Sequence, residues 1–215
     1  QIRKIAYQTP SYTVENGTTL LDTPEGPMPI EVFGAHNLSN LAGAKWLWQC
    51  MGVDEAEFYE AIASFKGASK RLEKIAESAN KVAYKDFAHS PSKVSATTKA
   101  VKAQYPDRKV VACLELHTYS SLNAEFLKEY QGALDAADVA VVFYSPDAVK
   151  IKRLEEVTYD QIAQSFQRED LIIYTNPTEF KDFLFNQNLE NSALLLMSSG
   201  NYGGLNFDEV KGLIN

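Results

Sequence analysis

Cysteine is scarce: the 215 residues hold only Cys50 and Cys113, and no C-x-x-C pair occurs. Both thiols sit among apolar neighbours, which predicts buried cysteines in a reducing compartment such as the cytoplasm and argues against a disulfide scaffold or a zinc cluster. Also missing are an apolar run of bilayer length, a basic block of more than a few residues, and a charged-then-apolar start of the kind that directs secretion. With a formal net charge of −7 and a pI near 5.1, neither nucleic acid nor a membrane is expected as a main partner. No G-x-x-x-x-G-K-[ST], G-x-S-x-G or H-E-x-x-H occurs, so the chain carries no phosphate-cradling loop of the P-loop type, no nucleophile elbow and no zincin helix. Internal repeats and low-complexity tracts are absent as well. The chain opens at Gln1 without an initiator methionine, inside what reads as a strand, and is expected to be a piece of a longer polypeptide.

What is present is a soluble globular pattern, 45% hydrophobic. Ile2 to Phe33 reads as strands and turns: Tyr12-Thr13-Val14 and Thr18 to Leu21 flank Glu15-Asn16-Gly17, a hairpin signal, and Pro24, Pro27 and Pro29 keep the chain out of helix. The period then lengthens. Leu38 to Met51 predicts a helix with an apolar face stopped by Gly52, and Asp54 caps a second helix through Phe65. A polar hinge, Lys66 to Ser69, divides residues 1–66 from residues 67–215 and is expected to let the two parts adopt more than one relative orientation.

Beyond the hinge, strands Arg71 to Ala76 and Lys81 to Tyr84 precede a regular alternation. It runs helix Pro91 to Gln104, strand Lys109 to Glu115, helix Leu122 to Leu134, strand Val139 to Tyr144, helix Thr158 to Phe166 and strand Leu171 to Tyr174. Helix Pro177 to Phe185, strand Ala193 to Met197 and helix Phe207 to Ile214 complete it. Near-continuous apolar strands separated by helices predict an α/β fold, a mostly parallel sheet with helices on both faces.

Ligands of such sheets collect where strands end. The side chains there are Asp86 and His89, Glu115 and His117, Ser145-Pro146-Asp147, Asn176, and the run Ser198 to Gly204. A carboxylate at Asp86 can accept hydroxyls, and an imidazole at His89 can move a proton near neutrality; read blandly, they end a strand and sit in a solvated loop. His117 is either a ligand contact or a hydrogen-bonded loop residue, and the glycine run either cradles an anion or is an ordinary turn.

Three ordered motifs carry a resemblance. Gly34-x-His36-Asn37-x-x-Asn40, Phe65-Lys66-Gly67-Ala68-x-Lys70-Arg71-x-Glu73 and Asp86-Phe87-Ala88-His89-x-Pro91 resemble the Mur ligase family of ATP-dependent amide ligases of peptidoglycan synthesis. The resemblance implies that residues 1–66 are the tail (strands, hairpin, two helices) of a P-loop ATPase central domain, and residues 67–215 a Rossmann-like C-terminal domain. It implies ATP and Mg2+ as cofactors, UDP-N-acetylmuramic acid and a cell-wall peptide acceptor as partners, and an acyl-phosphate intermediate. His36, Asn37, Asn40, Arg71 and Asp86 would bind nucleotide, with Asn37 and Asn40 at adenine and Asp86 at the ribose. His89 would be catalytic at the phosphate end, and His117, Ser120, Asn201 and Gly203 would meet the acceptor, with no metal ligand among them. The phosphate-binding lysine and the UDP site would lie outside this chain. Departures limit the transfer: Lys85-Asp86 stands where many members have two acids, His89-Ser90 where many have two histidines, the loop Glu115 to Ser121 lacks the arginines that the alanine-adding branch carries there, and Leu116 stands at the usual proline. Without a cation in that loop a peptide acceptor is expected over free L-alanine, the alternatives being the alanine-adding ligase and a non-catalytic nucleotide-binding module.

Overall fold

The structure, a computed structural model, describes residues 4–155 and 157–215, so the strand expected at Gln1 to Arg3 lies outside the described residues. The chain divides into two compact units, Gln1–Gly67 with Ala103–Tyr105, and Ala68–Lys102 with Pro106–Asn215.

The first unit carries the antiparallel strands β1 (Tyr12–Glu15), β2 (Thr18–Thr23) and β3 (Gly26–Ile30), in that spatial order. Asn16 and Gly17 take the positive φ values, 50° and 76°, that a two-residue hairpin turn needs. Pro27 and Pro29 sit inside β3, which the sequence alone does not mark as a strand. Both are tolerated because β3 is an edge strand and alternate residues need no ladder donor. Helix α1 (Ala35–Cys50) ends against Gly52 at φ 92°, and Asp54 and Glu57 form a reciprocal capping box for α2 (Glu55–Ala63). Leu21, Ile30, Leu38, Leu41 and Phe58 make the core. The expected apolar face of α1 is buried only at Leu38 and Leu41; Trp46, Leu47, Trp48 and Met51 are exposed. Cys50 shares that exposed last stretch, so the expectation of a buried thiol fails there and holds at Cys113.

The second unit is a six-stranded sheet ordered β4-β5-β9-β6-β7-β8: β4 (Glu73–Glu77), β5 (Lys81–Asp86), β9 (Ser192–Met197), β6 (Lys109–Glu115), β7 (Val139–Phe143) and β8 (Ile172–Tyr174). Only the edge strand β4 is antiparallel to its neighbour. Ala83, Val111, Cys113, Val141, Leu194 and Leu196 pack under α7 (Pro177–Asn186) and α8 (Phe207–Ile214), through Phe180, Leu184, Val210 and Ile214. On the opposite face α3 (Pro91–Gln104) meets β9, with the Thr98 hydroxyl 3.9 Å from the Met197 sulfur. The central strands are buried on both sides, which is why they read as unbroken apolar runs.

Several elements differ from expectation. The helix expected over Leu122 to Leu134 is a single turn, α4 (Ala124–Leu127), followed by a 3-10 turn Lys128–Tyr130; the chain leaves the helical conformation at Gln131, and Gly132 follows at φ 70°. Ser145 and Asn176 are helix caps: Ser145 accepts the Ala148 amide at the start of α5 (Pro146–Ile151), and Asn176 accepts the Thr178 and Glu179 amides. Arg71 precedes β4 instead of lying in it. The remaining helix, α6 (Tyr159–Phe166), is capped reciprocally by Thr158 and Gln161.

Candidate functional site

At the elbow between β5 and α3, Asp86 is only 6% exposed. Its carboxylate accepts the Leu72 amide at 2.7 Å and the Ala88 amide at 2.6 Å, so it ties the segment before β4 to the segment after β5. That incoming segment turns sharply, with Lys70 at φ 54° and Leu72 at φ 45°, a conformation that costs a non-glycine residue energy unless its surroundings hold it. Glu73 supplies part of the hold by accepting the Lys70 amide at 2.8 Å and the Ser69 hydroxyl at 3.1 Å, while the Phe87 amide donates to the Lys70 carbonyl at 2.8 Å. Arg71, between the two strained residues, is exposed.

The His89 ring lies edge-on to Phe87, centroids 5.1 Å apart, and its Nδ1 is 2.8 Å from the Phe87 carbonyl oxygen. A carbonyl can only accept, so Nδ1 carries the proton and Nε2 is the nitrogen left for other chemistry. Tyr130, itself stacked on Phe166, donates its hydroxyl to the His89 carbonyl and fixes the elbow from the other side.

At the ends of β6 and β9 the structure brings the two acceptor-side loops together. Glu115, expected in the open crevice, is 3% exposed: its Oε2 accepts the Ser198 hydroxyl and the Tyr202 amide, the latter at 2.9 Å. His117 Nδ1 lies 3.6 Å from Glu115 Oε1 on a ring whose side chain is 39% exposed. The Thr118 to Ser121 turn satisfies itself, with the Thr118 amide donating to the Ser121 hydroxyl at 2.9 Å, and Ser120 is exposed 3.2 Å from the Thr118 hydroxyl. In the glycine loop Asn201 is exposed, its carbonyl accepting the Gly204 and Leu205 amides at 3.0 and 2.8 Å. Gly203 takes φ 70°, and a Cβ there would stand 2.6 Å from Pro177. The amides of Gly200, Tyr202, Gly204 and Leu205 have protein acceptors, as in an ordinary turn.

The candidates of the first unit stand on the first turns of α1. Gly34 enters the helix at φ 87°, and Asn37 donates its carboxamide to the Phe33 carbonyl at 3.0 Å, leaving its Oδ1 unused by that bond. His36 and Asn37 are half-buried and Asn40 is exposed, with Asn37 and Asn40 three residues apart on one helix face.

Four residues of the second unit take roles that the sequence did not assign to them. Ser198 links the strand ends, its amide donating to the Asp86 carbonyl at 2.9 Å and its hydroxyl to Glu115. Tyr202 is wholly buried in a loop that reads as polar, and burial pushes its phenol well above the usual range. Glu115 is the clamp and not a free carboxylate. Lys152, at the end of α5, places its ammonium 4.7 Å over the Tyr119 ring, so a cation does reach the β6 loop although the loop contains none. Among the described residues no group of three or more His, Cys, Asp or Glu side chains is placed to hold a metal ion, and no helix is long and apolar enough to cross a membrane.

A family model described as Mur ligase, glutamate ligase domain, matches residues 70–200. The UDP-N-acetylmuramate–L-alanine ligase of Microcystis aeruginosa is 30% identical over 183 residues, covering 82% of this chain and 37% of its own length. Among solved structures, a UDP-N-acetylmuramate–alanine ligase from Thermotoga maritima superposes with a TM-score of 0.69 at 17% identity, over 94% of this chain and 44% of its own. A murein peptide ligase from Psychrobacter arcticus does so at 0.60 and 19%, over 92% of this chain and 42% of its own. At those identities the likeness is one of fold. The chain spans less than half the length of each of these relatives.

Proposed function

Because the chain belongs to the Mur ligase family, we propose that it is the C-terminal part of an ATP-dependent ligase that joins a peptide to UDP-N-acetylmuramic acid. The observation that carries this reading is the family match over residues 70–200, a span running from the Arg71 segment through the His89 elbow to the glycine loop. Residues 1–66 are then the tail of the central ATP-binding domain and residues 67–215 the C-terminal domain, working in the cytoplasm. ATP phosphorylates the muramoyl carboxylate, the acceptor's amine attacks the acyl carbon, and phosphate leaves. Magnesium, when bound, neutralises charge on the nucleotide's phosphates.

Within this reading Asn37 and Asn40 face adenine through carboxamides, and His36 lies beside them. Arg71, exposed on a braced turn, lies against the nucleotide. Asp86 meets the ribose with the lone pairs that Leu72 and Ala88 leave over, and His89 presents Nε2 at the phosphate end. His117, Ser120, Asn201 and Gly203 form the acceptor side. A peptide is favoured because residues 115–121 and 198–204 contain no lysine or arginine to clamp a lone small carboxylate.

A second reading, the L-alanine-adding ligase, is favoured by the names of its sequence relatives and by the Lys152 ammonium at Tyr119. Full-length enzyme given ATP, UDP-N-acetylmuramic acid and equal concentrations of L-Ala-γ-D-Glu-meso-diaminopimelate and L-alanine decides between them. Consumption of the peptide supports the first reading, preferential consumption of L-alanine the second, and turnover of neither removes both.

A further inference from the structure

Glu115 is a buried carboxylate that none of the steps above uses. By strand alternation it leaves β6 on the side of Val111 and Cys113, where the loop after β9 passes. Four groups converge on it. Ser198 and Tyr202 donate to Oε2, and the Ser198 oxygen in turn accepts the Gly200 amide at 2.6 Å. Tyr202 is itself immobilised, stacked on Phe180 at 4.9 Å with its hydroxyl on the Cys113 and Met197 carbonyls. Gly200 lies directly over the carboxylate, where a Cβ would stand 2.8 Å from Oε2, 3.1 Å from Oε1 and 3.0 Å from the His117 ring. The fourth is His117, whose Nδ1 faces Oε1 at 3.6 Å, beyond hydrogen-bond length but closed by a small ring rotation. Among the described residues it is the one basic side chain within ion-pair distance of Glu115.

We propose that Glu115 is the positioning residue of the acceptor side, with each carboxylate oxygen holding a different part. Oε2 holds the Ser198 to Gly204 loop. Oε1 holds the proton of His117 on Nδ1 and so turns the lone pair of Nε2 outward, where it accepts a hydrogen bond from a donor on the incoming acceptor. The proposal rests on the reading of these loops as the acceptor side, and it adds an order of dependence: His117 meets the acceptor, and Glu115 acts only through His117 and the loop. Placing a carboxylate behind an imidazole in this way selects one of its two tautomers.

The two oxygens can be separated by one substitution. In Glu115→Gln the carbonyl oxygen keeps the place of Oε2, because Ser198 and Tyr202 both demand an acceptor, and the NH2 group takes the place of Oε1. The atom facing His117 Nδ1 then changes from acceptor to donor, which inverts the tautomer while the loop stays clamped. Glu115→Ala loses both functions.

The test uses ring-nitrogen NMR of 15N-histidine in the 215-residue chain, thermal unfolding of the same samples, and steady-state kinetics of the full-length enzyme with the acceptor it consumes. Glu115→Gln is expected to move the His117 proton from Nδ1 to Nε2 and to raise the acceptor's KM about fivefold, the same rise expected of His117→Ala, with the KM for ATP changed less than about twofold. Adding His117→Ala to Glu115→Gln should change the acceptor's KM little further, the non-additivity of residues that act as one unit. Glu115→Ala should in addition lower the Tm. Should Glu115→Gln fail to fold, Gly200→Ala replaces it, since its Cβ would press on both the carboxylate and the His117 ring, forcing the pair apart, and should raise the same KM. An unchanged tautomer together with an unchanged acceptor KM overturns the proposal, as does a fall in Tm with no change in either. If full-length enzyme turns over neither acceptor, the ligase reading falls and the tautomer comparison alone decides the role of Glu115.

Discussion

Ser198 and Glu115 are joined by a hydrogen bond from hydroxyl to buried carboxylate, while the neighbouring hydroxyl of Ser199 is buried with no partner among the described residues. Two adjacent serines therefore differ in what their removal does. Ser198→Ala takes a donor from Glu115 and an acceptor from the Gly200 amide, and should destabilise the fold by about 1–3 kcal/mol. Ser199→Ala removes a hydroxyl that makes no bond and should be neutral within about 0.5 kcal/mol or stabilising. Urea unfolding of the two variants checks the pair, and equal losses would contradict the geometry.

Asp86→Ala leaves the buried Leu72 and Ala88 amides without their acceptor and frees the turn at Lys70 and Leu72 from one of its ties. The expected cost is about 2–4 kcal/mol, most of it from unsatisfied donors. Asp86→Asn keeps one acceptor oxygen and should fall between the variant and the parent. Chemical denaturation measures both. The ribose contact is separated by comparing ATP with its 2′-deoxy analogue: the parent enzyme should prefer ATP, and the preference should shrink in Asp86→Ala.

Burial gives the fold an alkaline limit. It pushes the Cys113 thiol from an ordinary value of 9.0 up to about 12, and raises the phenols of Tyr130 and Tyr202 as well. Each folded-state value lies above the unfolded one, so the stability linked to these groups is complete below the unfolded value and is lost as pH rises through the window between the two. The thiol comes first. Between pH 9 and pH 10 the unfolding free energy should fall with a slope approaching about 1.4 kcal/mol per pH unit from Cys113, steepening once unfolded tyrosines ionise near pH 10. In Cys113→Ala the first part of the slope should vanish, although the cavity lowers the whole curve. A flat profile to pH 10 in the parent would show that the thiol ionises while folded.

The 215-residue chain should release no phosphate from ATP. It carries no phosphate-cradling G-x-x-x-x-G-K-[ST] loop, and positioning supplies most of phosphoryl-transfer catalysis. Phosphate release by the pure chain above a buffer blank would place the ATPase machinery within these residues.

Local chemistry explains why so many element boundaries can be read directly. Helix α3 starts at Pro91 because proline is tolerated in a first turn, the Asn16-Gly17 turn sets its hairpin by φ alone, and Asp54 caps α2 with its own side chain. The apolar runs of β6, β7 and β9 state their burial residue by residue. Such signals act over a few positions, and the sequence by itself determined them, together with the α/β class and the ordered motifs that carry the family resemblance. Long-range pairing is another matter. Glu115 and Ser198 are 83 residues apart, Leu72 precedes β4 whereas Asp86 ends β5, and Lys152 beyond α5 reaches Tyr119 in the loop after β6. No local rule says which strand lies beside β6, and inserting β9 between β5 and β6 is what turns Glu115 from an open crevice carboxylate into a buried clamp. That decision belongs to the tertiary structure, because a carboxylate becomes a positioning group only when burial has removed its water and left it the amide and hydroxyl of another loop.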